Sequence, residues 1–417
     1  MSPAEPENAQ SMKTWLHQQD GFIEAKVRFQ AVPSGFSVIA SEEITPDTTI
    51  VACPLALAIT KESSRSALLN VLNPGDKHVL DGWNERQCMA CYMCLHLINH
   101  ETEPNDYLRY LQHGPYIRML PSKDKMRTAI HFSPEERELF RGSNLFGAIM
   151  DREKDCRDEW AECARVISEA NAAWGDAFSW ELYLTATTHI SSRAFPSSLL
   201  SKNPSLVASP STEPILLPGI DSLNHGRGKA VSWVLTHPKD DDPSITIPTV
   251  SLMIHYSASP GDEILNNYGV KPNSELILGY GFTISENPDD TILLKVGGGG
   301  SDARRWEVGR DARGADGLWD EIISFMVPKI EEASYEDHLD AADMLTDMLE
   351  QLTARLPPLE RREFDPNTIR PEVIKMFQDY MEGQRDILDS LMKYAETKRQ
   401  SAVEWAAKEG VELVLEG

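Results

Sequence analysis

The sequence predicts an α+β protein: a β-rich fold interrupted by a helical insert and followed by an all-helical C-terminal domain. Three observations predict it. Short apolar runs separated by turn residues fill about 35–60 and return at 215–283. Between them, at about 61–190, apolar residues recur at three- and four-residue spacings, and the same spacing fills 318–405.

Taken in order, residues 1–12 are polar and expected to be a tail, and 13–29 carry a short helical pattern with Trp15, Leu16 and Phe22. Phe36, Val38, Ile39, Ile44, Thr48–Val51 and Leu55–Ile59 follow as β segments, with Pro46-Asp47 and Pro54 as breaks. The helical block holds Trp83–Ile98, Asn105–Leu111, Pro134–Phe146, Arg157–Trp174 and Trp180–Ile190. Ser133-Pro134-Glu135-Glu136 reads as an N-cap, a first-turn proline and acidic first-turn residues. Residues 201–218 are rich in Ser and Pro and read as a loop. Val231–Leu235, Ile245–Ile247, Val250–Ile254 and Glu263–Leu265 restore the β signal.

Gly297–Gly300 lacks the Gly-Lys-Ser/Thr of a phosphate loop and reads as a flexible connection. Beyond it, Ala342, Leu345, Leu349 and Leu352, and later Val373, Phe377, Tyr380, Ile387, Leu391 and Tyr394, mark helices that Pro357-Pro358 and Pro366–Pro371 separate.

Composition limits the function. Forty basic residues against 65 acidic ones give a net charge of −25 and a pI near 4.8, which excludes a broadly basic nucleic-acid binder. A negative field attracts positive partners, so the expected partner is a basic protein, peptide or small cation, with no direct nucleic acid. About 12 of the excess acidic charges lie from residue 301 onward. No apolar run is long enough to span a membrane and no secretory signal opens the chain, so a cytoplasmic or nuclear protein is expected; a monomer is expected as well. Six cysteines are too sparse for a disulfide scaffold. Cys88, Cys91, Cys94, His96 and His100 imitate zinc ligands, but they sit in one helical pattern with no closing pair, so core packing is expected and no metal site.

Two stretches in the second β region carry the chemistry. One is Asp221-Ser222-Leu223-Asn224-His225-Gly226, and the other is Glu263-Ile264-Leu265-Asn266-Asn267-Tyr268-Gly269, followed by Lys271–Phe282 with Tyr280. Either alone could be a turn or a strand end. In this order they resemble the catalytic core of SET-domain methyltransferases, in the branch similar to the Rubisco large-subunit and fungal ribosomal-protein lysine methyltransferases. Phe178-Ser179-Trp180, Ser191-Ser192-Arg193-Ala194-Phe195, Asp106–Tyr110 with Met119-Leu120-Pro121, and the opening Gly35-Phe36-Ser37-Val38-Ile39-Ala40 extend the likeness over about 30–283.

The resemblance implies a SET fold at 30–283, with the insert at about 61–190, in which the two stretches thread as a pseudoknot that binds S-adenosyl-L-methionine. By the same resemblance the segment 301–417 takes the place of the family's helical substrate-binding domain, and 1–29 is expected as an N-terminal tail and short helix. The resemblance also implies that Gly35 and Phe36 close over the cofactor with Ser192 and Ser222 beside it, and that Arg193 meets its amino-acid end. Asp221 braces the knot, while Leu223, Asn224 and His225 contact the cofactor. Tyr268 stands beside the transferring methyl, and Tyr280 lines the channel and helps set how many methyl groups fit. Ser37 departs from the pattern, where the family usually has a second glycine. A protein-lysine N-methyltransferase acting on a non-histone protein, such as a ribosomal or translation protein, is the leading expectation. A histidine methyltransferase and a non-catalytic SET-like binding module are the alternatives.

Overall fold

The computed structural model describes residues 4–73, 75–99, 109–201, 209, 211–237, 247–296, 304–358, 365 and 367–413. Asp106–Leu108, His100, Ile245 and Gly297–Gly300 lie outside the described residues. The chain opens with α1 (Glu7–Gln18), then β1 (Phe22–Ile23), β2 (Val27–Val32), β3 (Gly35–Ala40) and β4 (Thr48–Pro54). Helices α2 (Lys61–Leu72), α3 (Glu85–Ile98), α4 (Gly114–Met119), α5 (Pro134–Glu138), α6 (Asn144–Ala170), α7 (Ala172–Ala177) and α8 (Trp180–Arg193) follow. Strands β5 (Phe195–Pro196), β6 (Pro214–Ile215), β7 (Val231–Thr236) and β8 (Thr249–Ile254) precede α9 (Asn273–Gly279). The hairpin β9 (Thr291–Val296) and β10 (Arg304–Gly309) leads into α10 (Ala315–Ser324), α11 (Tyr335–Arg355) and α12 (Pro371–Lys408).

Two compact units result, one of residues 1–126 and 153–269, the other of 127–152 and 270–417. The first unit holds an antiparallel sheet of order β1-β4-β8-β7 and two separate two-stranded pairs, β2-β3 and β5-β6. The helix expected from residue 13 begins at Glu7 instead. Ala9 and Met12 extend the buried stripe of Trp15 and Leu16, although the polar residues between them hide it in the sequence. Val27–Phe29, read as the end of that helical pattern, belongs to the strand Val27–Val32, which pairs with β3 from Val27↔Ala40 to Val32↔Gly35. Glu263–Leu265 is no regular strand: it contributes one isolated bridge, Ile39↔Glu263.

Capping explains where the helices of this unit start. Asn84 and Gln87 form a reciprocal capping box on α3, and the Ser179 hydroxyl accepts from Leu182 N–H at α8. Cys88, Cys91 and Cys94 are fully buried in α3, and burial raises their thiols above the ordinary range, Cys88 to about 11. They pack in the same core as Cys163, Tyr183 and Trp83, so small apolar side chains explain the three-residue spacing.

In the second unit α5 begins as its sequence predicts, with Ser133 and Glu136 forming a capping box behind Pro134. Glu136 is buried and takes two bonds of 2.7 Å from the Arg370 guanidinium, which together with backbone donors holds its carboxyl below the ordinary range despite burial. Phe140 packs against Phe377 and Tyr380 in the same unit. Among the described residues the C-terminal region is helical apart from β10, which the glycine-rich stretch before it concealed from periodicity. Helices α11 and α12 end and begin where the prolines predict, and Ala341, Ala342, Leu345 and Leu349 face Ile387, Leu388 and Leu391 in one core. No helix among the described residues is long and apolar enough to cross a membrane.

Asp290 anchors α9. It accepts from Asn273 N–H at 2.7 Å and Asn273 Nδ2 at 3.0 Å, while Asn273 pairs with both backbone groups of Ile284. Burial pushes the Asp290 carboxyl up from 3.8 to about 6, against the pull of Asn273 and Arg310. The folded state therefore holds this proton more tightly than the unfolded chain, so the associated stability is present below about pH 4 and is lost as pH rises through 6. Between pH 5 and 7.5 the native protein should lose about 1 kcal/mol that Asp290→Asn does not lose. Chemical denaturation of both proteins at the two pH values measures the difference.

Candidate functional site

The two motif stretches meet in the first unit through backbone pairing. Asn266 N–H donates to Asn224 O at 2.8 Å, Gly226 N–H donates to Asn266 O at 2.7 Å, and His225 and Asn266 form a parallel bridge. The second stretch also pairs with β3: Ile264 N–H reaches Val38 O at 2.8 Å, and Ala40 N–H reaches Asp262 O at 2.9 Å. Segments far apart in sequence are thus laced together through peptide groups that burial obliges to find partners.

Side chains reinforce the crossing. Tyr268 N–H donates to His225 Nδ1 at 3.0 Å, which makes Nδ1 an acceptor and leaves the neutral ring's proton on Nε2. The two rings lie 5.1 Å apart, tilted by 32°. The Tyr268 hydroxyl donates to Leu223 O at 3.0 Å, and Leu223 itself is buried. Asn224 Nδ2 reaches Glu263 Oε1 at 2.8 Å, with Phe36 O and Ser37 Oγ each at 3.3 Å.

Arg193 and Asp221 form the polar floor. Arg193 Nη1 donates to Asp221 O at 3.0 Å and stands 3.6 Å from Asp221 Oδ2, which also receives the Tyr116 hydroxyl at 2.6 Å. The Asp221 side chain is 0% exposed, and Oδ1 has no hydrogen-bond partner among the described residues. Burial raises its carboxyl, while Arg193 and the Tyr116 hydroxyl pull it back. Phe36, Tyr116, Met119, Leu120, Arg193 and Ser222 enclose a small cavity here. Gly35 has φ +133°, and a Cβ at that position would lie 2.7 Å from Pro121 Cγ, so the opening loop can seat against Leu120-Pro121 only with glycine there.

Gly35, Phe36, Arg193, Asp221, Ser222, Leu223, Asn224, His225 and Tyr268 therefore gather in one unit. Ser192 lies at the end of α8 in the same unit, and its hydroxyl donates to Thr188 O at 2.8 Å. Tyr280 belongs to the second unit, at the end of α9, where Lys271 Nζ lies 5.5 Å from its ring centroid. Burial and the Glu275 charge push its phenol up to about 12. Sequence reasoning passed over Tyr116 and Glu263. Tyr116 lies three residues before the quoted Met119-Leu120-Pro121, and Glu263 opens a quoted stretch, but nothing in the local pattern shows that a distant carboxylate or amide needs them.

No protein-family model matches the chain. The Ribosomal lysine N-methyltransferase set10 of Schizosaccharomyces pombe is 29% identical over 281 residues, 67% of this chain and 45% of that protein. Ribosomal lysine N-methyltransferase 1 of Saccharomyces cerevisiae is 34% identical over 44% of this chain and 34% of its own length, and the Actin-histidine N-methyltransferase of Rattus norvegicus is 23% identical over 69% and 44%. The chain thus spans less than half the length of these relatives. Among solved structures, the SET domain of LSMT bound to lysine and AdoHcy superposes with a TM-score of 0.72 at 15% identity, covering 97% of this chain and 94% of that one. Rubisco LSMT bound to AdoMet gives 0.69 at 16% identity, with coverage of 97% and 94%. The laced motif stretches and the extent of the superposition agree: the chain has the SET fold, and in sequence it is similar to the ribosomal lysine N-methyltransferases.

Proposed function

We propose that this protein is an S-adenosyl-L-methionine-dependent protein-lysine N-methyltransferase acting on a basic, non-histone protein, with ribosomal and translation proteins as the first substrates to test. The observation that carries the reading is the crossing at Asn224, His225 and Tyr268, joined to the Arg193 cavity in the same unit.

The residues fit the cofactor. Only Nη1 of Arg193 is bonded to Asp221 among the described residues, which leaves a guanidinium edge at the cavity suited to a carboxylate. Asn224 Oδ1 has no partner there either and offers an acceptor. Bound S-adenosyl-L-methionine supplies a methyl group on a sulfonium centre. The protein's task is then to align an amine with that group and exclude water. A free lysine has a pKa of about 10.4, so its neutral form costs about 4 to 5 kcal/mol at pH 7. Apolar burial beside positive charge reduces that cost. We assign Tyr268 to hold its hydroxyl beside the reacting atoms, and Tyr280 to limit the number of methyl groups. With a phenol pushed up to about 12, Tyr280 stays neutral at physiological pH.

Residues 301–417 are assigned to substrate binding. Their excess acidic charge would guide a basic protein, so at subsaturating substrate the rate should fall as salt rises, whereas an unchanged rate would leave the charge a matter of solubility. The likeness to actin-histidine N-methyltransferase favours histidine as the second reading. Mass spectrometry of a labelled product assigns the modified residue, and modified histidine in place of lysine would overturn the leading reading.

A further inference from the structure

Asn224 faces three acceptors with one amide group. Nδ2 lies 2.8 Å from Glu263 Oε1 and 3.3 Å from both Phe36 O and Ser37 Oγ. Turned over, the amide would set its oxygen against a carboxylate and a carbonyl, neither of which can donate. The surroundings therefore permit one orientation, in which Oδ1 points away from Glu263 and has no hydrogen-bond partner among the described residues. Glu263 is itself held in place: its bridge to Ile39 and the flanking bonds from Ile264 N–H and Ala40 N–H fasten its backbone to β3, the strand that carries Ser37. Ser37 is buried at 6% exposure. A glycine at this place could offer no hydroxyl, so Ser37 adds an acceptor to the same amide.

We propose that Glu263, assisted by Ser37, is a positioning residue that locks the Asn224 amide so that Oδ1 is held ready as an acceptor for bound S-adenosyl-L-methionine. The inference rests on the cofactor reading proposed above. It assigns a ligand-affinity role to a carboxylate that need not touch the ligand, and it gives the Ser37 hydroxyl a function.

Calorimetric titration of the full chain with S-adenosyl-L-methionine, accompanied by thermal melts, tests it. Glu263→Ala should weaken binding about tenfold, the usual effect of losing one charge-assisted hydrogen bond, while the melting temperature stays near native. Glu263→Gln keeps an acceptor at Oε1 and should recover most of the affinity. Ser37→Gly should weaken binding about two- to threefold, as expected for a longer, neutral bond. In an Asn224→Ala background the Glu263→Ala effect should vanish. If Glu263→Ala binds like the native protein, or its effect persists in the Asn224→Ala background, the lock is overturned while the cofactor reading stands. If the native protein itself does not bind the cofactor, the cofactor reading falls and the lock falls with it.

Discussion

Tyr268→Phe is expected to bind S-adenosyl-L-methionine almost as the native protein does, yet to lose methyl transfer by about 100-fold or more, the scale seen when one preorganised polar group at a reacting centre is removed. The separation of the two effects follows from the contacts. The bond that fastens Tyr268 to the knot runs from its backbone N–H to His225 Nδ1 and survives the substitution, as does the ring against His225. Only the hydroxyl that donates to Leu223 O is lost, which costs about 1 kcal/mol of stability. Single-turnover rates with saturating cofactor, set beside calorimetric affinities, measure both quantities. Unchanged turnover would remove Tyr268 from the mechanism.

Arg193→Ala should act on stability and affinity together. Asp221 has no side-chain exposure, and Arg193 is the cation beside it. Truncation leaves a buried carboxylate without its partner, a change of about 3 kcal/mol when the charge persists. Asp221 is already raised by burial, so without Arg193 it takes up a proton more readily. The sign follows: the folded-state value lies above the unfolded one, so the variant gains stability as pH falls and loses it as pH rises. Affinity for S-adenosyl-L-methionine should drop about tenfold or more, because the free guanidinium edge is gone. Denaturation across pH and calorimetry at neutral pH test the two parts. Asp221→Asn in the Arg193→Ala background should restore stability without restoring affinity, and native affinity in Arg193→Ala would exclude the guanidinium from the cofactor site.

Much of this site is legible in the sequence because its parts are backbone-dependent motifs. Asn224-His225 and Tyr268-Gly269 keep their order and identity where the knot needs them, and Gly35 marks a position that a Cβ would block against Pro121. The partners are less legible. Tyr116 lies 105 residues from Asp221 in the sequence, and Glu263 lies 39 from Asn224, so no local period links them. The same limit applies to the fold. Periodicity finds long helices such as α3 and α12, whereas β2 is hidden because its strand character depends on pairing with β3. Ser37 reads as a loss when only the motif is considered, and its hydroxyl gains meaning once Asn224 Nδ2 is found beside it.

The most direct test of the central claim is transfer of labelled methyl groups from S-adenosyl-L-methionine into proteins of a lysate from cells lacking this protein, with native protein and Tyr268→Phe compared side by side. The account predicts a labelled basic protein, modified on lysine, with the native protein and almost none with the variant. Native protein that is folded and binds the cofactor but labels nothing, or labels equally after Tyr268→Phe, would contradict it.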